Sequence, residues 1–371
     1  INFMHAFFWM PTTLVGRQVE LNQVSDILSA DGDLLLAGVP GSGRRTLVRY
    51  AAQRVGAVVV DIDCLKATDR QRFLQLLAEA ILTTFPPGVV QEVLEKRGRS
   101  GPLQLADDHT HLCWPATRDA WAVLQGLLTL PQAIAEHLGC RVVIVFQNFP
   151  HIRSWDRSQE WECYLRQEIQ RQSQVSYVLI ATIAESWVNQ SGMHAICLGP
   201  IKDDDLQAWL QSMGTQQGWH FEAAAMQLFL EAVQGHFGNA IALLKRILTQ
   251  LEPTATPAQT IPTPPADPAL VIPGTLIHHS ALALLDDLSH TFESLLLLLP
   301  ASQVRLLESL ALDPTPSPHS REYAQKHHLS RGGGLQGALA SLQQKGLVYG
   351  PEHDYRLTLP LLALWLKQQL A

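Results

Sequence analysis

Gly38-Val39-Pro40-Gly41-Ser42-Gly43-Arg44-Arg45-Thr46-Leu47 is the stretch on which the reading of this chain turns. A short apolar run, Asp33-Leu34-Leu35-Leu36-Ala37, leads into it, and helical material from about Arg44 to Arg54 leaves it. Strand, glycine-rich turn and helix in that order suit a phosphate loop. Its backbone N–H groups curl round phosphate oxygens, and the helix N-terminus adds a partial positive charge. Gly38 and Gly43 stand at the G-x-x-x-x-G spacing of that loop. Beyond Gly43 the pattern changes: Arg44 takes the lysine position, Arg45 takes the place of the hydroxyl that holds Mg2+, and Thr46 comes one residue late. An ordinary glycine-rich strand-to-helix turn is the competing reading.

Working outward, apolar runs and helical patterns alternate. Ala57-Val58-Val59-Val60 is a second expected strand, ended by Asp61-Ile62-Asp63. Arg141–Phe146 and Ser176–Ile180 are a third and a fourth. Amphipathic helix is expected over Arg70–Thr84, Arg118–Leu138 (with Pro131 as a candidate kink) and Trp161–Gln172, and residues 85–115 look less regular. Continuous apolar strands separated by helices predict an α/β fold with a parallel sheet covered on both faces. From Asp203 to Gln250 only helical periodicity remains. Seven prolines between Pro253 and Pro273 then predict an extended, semi-rigid linker.

Beyond the phosphate loop, further motifs occur in a telling order. Val15-Gly16-Arg17-x-x-Glu20-Leu21 precedes it; Val142–Phe146 followed by Gln147-Asn148-Phe149 comes after it, then Ser176–Thr182, Leu198-Gly199-Pro200-Ile201 with Asp204-Asp205-Leu206, and Gly235-His236-Phe237-Gly238-Asn239. Over about residues 12–250 this series resembles the AAA+ and STAND ATPases, in particular archaeal-ATPase-like proteins and origin-recognition-type initiators. The resemblance implies that Val15, Gly16 and Arg17 pack against an adenine, that Gln147 and Asn148 occupy the Walker B positions, that Ser176–Thr182 is the sensor 1 strand, and that Gly235–Asn239 is the sensor 2 region. It implies an AAA+-type P-loop domain over 1–200, a helical lid over 201–251, the proline-rich linker over 252–275, and a helix with a winged helix over 276–371.

The departures from this family fall on its chemistry. The Asp that organises Mg2+ corresponds to Gln147 and the Glu that polarises water to Asn148; neither amide acts as a base or neutralises a cation. Exchange of a hydroxyl for Arg45 and of two acids for amides makes the pocket more positive. Two readings stay open. Arg45 supplies the charge that Mg2+ would bring, so that ATP or ADP binds without metal through Gly38, Gly41, Ser42, Gly43, Arg44, Arg45 and Thr46. Alternatively the pocket is occluded and empty, with Arg45 paired to Asp61 or Asp63. No catalytic residue and no metal ligand is assigned.

After Leu276–Leu299, a long apolar helix pattern, the C-terminal part reads as three helices, Ser302–Leu312, Ser320–His328 and Leu335–Lys345, then a hairpin from Gly346 to Leu357. Leu339-x-x-Leu342-x-x-Lys345-Gly346-Leu347-Val348 and Tyr355-Arg356-Leu357-x-x-Pro360-Leu361-Leu362-x-x-Trp365-Leu366 resemble the winged-helix tail of archaeal-ATPase-like proteins. DNA recognition needs cations on the third helix and wing. Here there are Lys345, Arg331 and Arg356, set against Glu352 and Asp354.

Composition bounds the function. The 371 residues suit two or three domains, hydrophobic residues make up 47%, and charged residues only 16%. A net charge of −7 excludes a general polyanion binder. Five scattered cysteines without a C-x-x-C pair suggest a reducing, cytoplasmic setting, and no run, including Phe3–Met10, is long enough to span a bilayer. Asp107-Asp108-His109-Thr110-His111-Leu112-Cys113 is read as a solvated loop rather than a metal cluster, and Arg153, Arg157 and Arg166 as surface residues rather than groups reaching a neighbour's site. The expected function is a non-hydrolysing regulatory or scaffold protein that assembles with a partner protein or in an AAA+ hetero- or homo-oligomer. A DNA-associated regulator and a working ATPase with an unusual loop are the alternatives.

Overall fold

A computed structural model describes residues 14–98, 102–115, 119–169, 175–185, 187–251, 270–329 and 333–370. The Phe3–Met10 run, most of the proline-rich linker, Arg331 and the ends of two expected helices (Arg118 and Gln172) lie outside them. The chain forms two compact units. One comprises Gln18–Gly38 and Arg44–Leu198; the other comprises Val39–Gly43 with the described residues before Gln18 and from Gly199 onward.

The first unit is built on five parallel strands: β1 (Leu34–Gly38), β2 (Ala57–Asp63), β5 (Arg141–Gln147), β6 (Val175–Ala181) and β7 (His194–Leu198), in the order β2-β5-β6-β1-β7. Every residue of β1 and β6 is buried, as are the five central residues of β5, because helices cover a parallel sheet on both faces. The helices are α1 (Gln18–Ser29), α2 (Arg44–Arg54), α3 (Arg70–Thr84), α4 (Pro87–Lys96), α5 (Ala120–Leu138), α6 (Glu160–Ile169) and the short α7 (Val188–Ser191). Asp69 caps α3 by accepting from the Arg72 amide at 2.8 Å, and Gly139 ends α5 in the left-handed region. Phe146 centres the core, with ring centroids 6.0 Å from Phe73 and 6.4 Å from Tyr177.

Residues 85–115 are more ordered than the sequence suggests. They hold α4 and a two-stranded antiparallel hairpin, β3 (Gln104–Leu105) with β4 (Leu112–Cys113). The Asp107–His111 stretch forms the hairpin's turn, and no group of three or more potential metal ligands occurs among the described residues.

The second unit has two apolar clusters. One gathers α8 (Asp203–Gln217), α9 (Ala223–Val233), α10 (Phe237–Leu251) and the start of α11 (Gly274–Leu297), with Val15. The expectation of helices alone over Asp203–Gln250 is corrected by β8 (Trp219–Phe221). It pairs in parallel with β9 (Leu270–Ile272), a segment expected to be linker. A tripeptide of Leu, Val and Ile beside prolines has the β propensity that proline content masks. The other cluster joins the rest of α11 to α12 (Ala301–Leu312), α13 (Arg321–Lys326), α14 (Gly333–Gln344) and α15 (Pro360–Leu370). The expected wing hairpin is reduced to one bridge, Val348 with Leu357, and its tip Pro351–His353 is a 3-10 turn. Among the described residues no single helix is long and apolar enough to cross a membrane.

Asp33, at the foot of β1, accepts from the Tyr177 amide at 2.8 Å, and burial raises its carboxyl from 3.8 to about 7. A raised folded-state value favours the protonated acid. Asp33 therefore contributes stability fully below its unfolded value, and that contribution is lost as pH rises through about 7. Asp33→Asn should raise the urea midpoint at pH 8 and give a smaller gain, or none, at pH 4.

Candidate functional site

The carboxyl ends of β1, β2, β5 and β6 bring together Arg44, Arg45, Gln147 and Asn148 of the first unit. Gly38 ends β1, and Arg44 opens α2. Arg44 does not point freely into solvent: its Nη1 donates to the carbonyl of Ala181, the last residue of β6, at 2.8 Å. Burial lowers Arg44 to about 10, which leaves it charged at neutral pH. Thr46 is exposed.

Arg45 is paired with Asp61, one of the two partners named for it from sequence. Its Nε and Nη2 lie 2.8 and 2.7 Å from Asp61 Oδ2, and Arg49 Nη2 reaches the same oxygen at 3.3 Å. The other oxygen of Asp61 accepts from the Gln147 side-chain amide. One residue pair further along, Asn148 Nδ2 donates to Asp63 Oδ1 at 2.9 Å, an oxygen that also caps the Leu65 amide at 3.1 Å. Parallel pairing imposes this arrangement: Asp63 stands opposite Gln147 and Asp61 opposite Val145. The acids of this corner sit on β2, and the amides are the last residue of β5 and the one that follows it. The positive excess counted from sequence is therefore offset by Asp61 and Asp63, two acids the sequence reading named only as alternative partners for Arg45.

Arg153 is also placed differently from its expected surface position. Its guanidinium makes bonds of 2.6 and 2.7 Å to Glu162 and of 3.1 and 3.0 Å to Glu185, with Glu162 almost wholly buried. These two carboxylates keep it charged and tie the turn after β5 to the segment after β6. Arg166 lies over the Trp187 ring, 4.4 Å from its centroid.

The second unit holds the loop itself and the Val15–Arg17 box. Gly16 has φ +59°, and a Cβ there would come within 2.6 Å of the Asp205 side chain, so the glycine is required. Arg17 donates to the carbonyl of Gly199. Gly41 and Gly43 have φ of +82° and +87°, with open space beside Gly43. Ser42 Oγ is buried and has no hydrogen-bond partner among the described residues. This loop fits a phosphate group: the glycine conformations are present and a hydroxyl is left over to donate. The residues that the resemblance sets at the Mg2+ positions do not fit a metal, because they are a guanidinium and two amides already bound to carboxylates.

His236 in the sensor 2 region was not singled out by sequence, yet it makes a direct contact with the loop, its Nε2 lying 3.0 Å from the carbonyl of Pro40. In the same unit, the His353 ring of the wing tip lies against Gly199, whose carbonyl accepts from Arg17, and Tyr349 is buried. The exposed residues of α14 are Gly333, Gly334, Gln336, Gly337, Ala340 and Gln344, none charged. Lys345, just beyond it, is bonded to Gln303 at 2.7 Å.

Comparisons with known proteins agree with this architecture. Residues 290–368 match the family described as "Probable winged helix domain". No curated protein matches the chain by sequence. Among solved structures, a Walker-type ATPase of Pyrococcus abyssi is similar over 95% of this chain and 96% of its own, with 15% identity and a TM-score of 0.66. The Orc1 protein of Aeropyrum pernix, solved in complex with DNA, aligns over 98% and 96% with 13% identity and a TM-score of 0.49. A STAND protein of Pyrococcus horikoshii with a tetratricopeptide repeat sensor aligns over 96% of this chain and 43% of its own, with 14% identity and a TM-score of 0.40. The likeness to the Pyrococcus abyssi protein and the winged-helix match give the fold: an AAA+-type α/β P-loop domain with a helical lid and a C-terminal winged helix.

The Asp61 cluster is half exposed on its arginine side, so its worth is small and screened by salt. Asp61→Asn should cost on the order of 1 kcal/mol at low salt. The difference in urea midpoint from the parent should shrink as salt is added.

Proposed function

We propose that this chain is a non-hydrolysing protein of the AAA+/STAND type, a regulatory or scaffold subunit that works by assembling with a partner protein or with other AAA+ subunits. The observation that carries this reading is the exchange at the ends of β2 and β5: Gln147 and Asn148 donate to Asp61 and Asp63, and Arg45 is held by Asp61. Phosphoryl transfer to water needs a metal on the β- and γ-oxygens and a group that orients the attacking water. A carboxamide at each acidic position supplies neither, and a guanidinium at the hydroxyl position repels the cation.

Nucleotide binding is a separate property, and the loop retains the means for it. Gly41 and Gly43 keep the backbone curled, the Ser42 hydroxyl is available, and Arg44 opens a helix whose N-terminus favours an anion. The nucleotide would contribute phosphate charge and an adenine for the Val15-Gly16-Arg17 box, and this chain's residues would hold it without metal. Five free cysteines fit the same cytoplasmic assignment made from sequence.

The winged helix is assigned to protein contact rather than to DNA. Among the described residues, the exposed positions of α14 carry only small and amide residues, and the cation that follows it, Lys345, is bonded to Gln303; sequence-independent attachment to a duplex depends on cations facing the phosphates.

With ATP and Mg2+, the purified protein is expected to release no phosphate above a buffer control. Calorimetric titration with ADP or ATP should give an affinity that excess chelator leaves unchanged. Mg2+-dependent phosphate release that disappears in Arg44→Ala would show a working ATPase and overturn the reading; absence of any nucleotide binding would remove its metal-free nucleotide component alone.

A further inference from the structure

We propose that His236 is a latch, a neutral imidazole that fastens the phosphate loop to the head of α10 and that a proton opens. The two partners of the ring fix its state. The Pro40 carbonyl can only accept, so Nε2, 3.0 Å away, carries the hydrogen. The Asn239 amide can only donate, so Nδ1, 3.0 Å away, is the bare acceptor. His236 is thus the N-cap of α10, receiving the N–H of its third residue, while its opposite nitrogen grips the loop.

The ring is closely seated as well as doubly bonded. His236 is buried. A Cβ on Gly41 would come within 2.7 Å of the ring, and one on Gly238 within 3.1 Å of the ring and 3.6 Å of Gly41 Cα. Loop and helix head therefore approach each other through two glycines with the imidazole as spacer. A phosphate oxygen approaching Gly41 from the ring side must displace His236.

A second proton has one place to go, Nδ1, where it faces the Asn239 N–H and destroys the cap. The surroundings disfavour that charge: burial is the largest cause lowering the ring below its usual value, partly opposed by the Pro40 carbonyl, and no charged side chain is among the causes. Pro40 and Gly41 on the loop and Gly238 and Asn239 on the helix, which approach the ring, are uncharged. The latch is accordingly shut at neutral pH. Its stabilisation is fully present above the unfolded-state value of 6.5 and is lost as pH falls through the lower folded-state value.

The inference stands on this contact and does not depend on nucleotide binding, so its test uses the full chain without nucleotide. His236→Asn keeps an acceptor near the Nδ1 position, and asparagine is a good N-cap, but its side chain is too short to reach Pro40. Hydrogen exchange followed by mass spectrometry, corrected for the intrinsic effect of pH, reads the loop and α10 separately. At pH 7.5 the variant should exchange residues 39–43 about five- to tenfold faster than the parent, the loss of one net hydrogen bond, with the body of α10 unchanged. Acidification should speed loop exchange in the parent and leave the variant as it was. His236→Gln, which reaches Pro40 without the cap, should restore loop protection and carry no acid response. Equal loop exchange in parent and His236→Asn at pH 7.5, or the same acid response in both, would overturn the latch.

Discussion

The pairing of β2 with β5, residue against residue from Ala57 opposite Arg141 to Asp63 opposite Gln147, is the constraint on which the chemistry of this protein depends. Parallel strands with matched ends deliver their last side chains to the same edge, about 4.8 Å apart. Two carboxylates on one strand and two carboxamides on the next are brought within hydrogen-bond reach, so the site's acids are committed before any ligand arrives. Arg45 and Arg49 complete the arrangement because they lie four apart on α2, one helical turn, and converge on one carboxylate oxygen of Asp61.

Much of the architecture could be read from the chain, and the parts that could not share a physical cause. β1, β5 and β6 are buried on both faces and so are written as unbroken apolar runs. β7 is an edge strand with three of its five residues exposed, and His194-Ala195-Ile196-Cys197-Leu198 carries no such run. The β3–β4 hairpin has only two residues in each strand, too few for any alternation to show. β8 and β9 have three each and are separated by some fifty residues, so each stabilises the other through a partner invisible to local pattern.

The candidate site divides in the same way. Spacing picked out the loop glycines, Arg44 and Arg45, whereas Gln147 and Asn148 were named through the resemblance to AAA+ and STAND ATPases. It could not say where a long flexible guanidinium goes. Asp61 and Asp63 were visible as strand-end acids, but their role depends on register, which no single strand encodes. His236 lay inside the Gly235–Asn239 motif, but nothing marked its ring: it gains its role only when residues 40 and 236, remote in sequence, meet. Arg153 followed the same rule, its two glutamates lying nine and thirty-two residues away.

The placement of acids on β2 and amides at the end of β5 also limits which residues can replace them. An acid introduced at position 148 alone would face the Asp63 oxygen that Asn148 now approaches at 2.9 Å, and one carboxyl of such a pair must stay protonated. Position 147, set against Asp61, meets the same obstacle. A new acid on β5 alone therefore sets like charges together, whereas exchange of Asp61 or Asp63 on β2 for its amide does not. The hydrogen bonds that hold this corner together thus tie the choice of residue on β5 to the choice already made on β2.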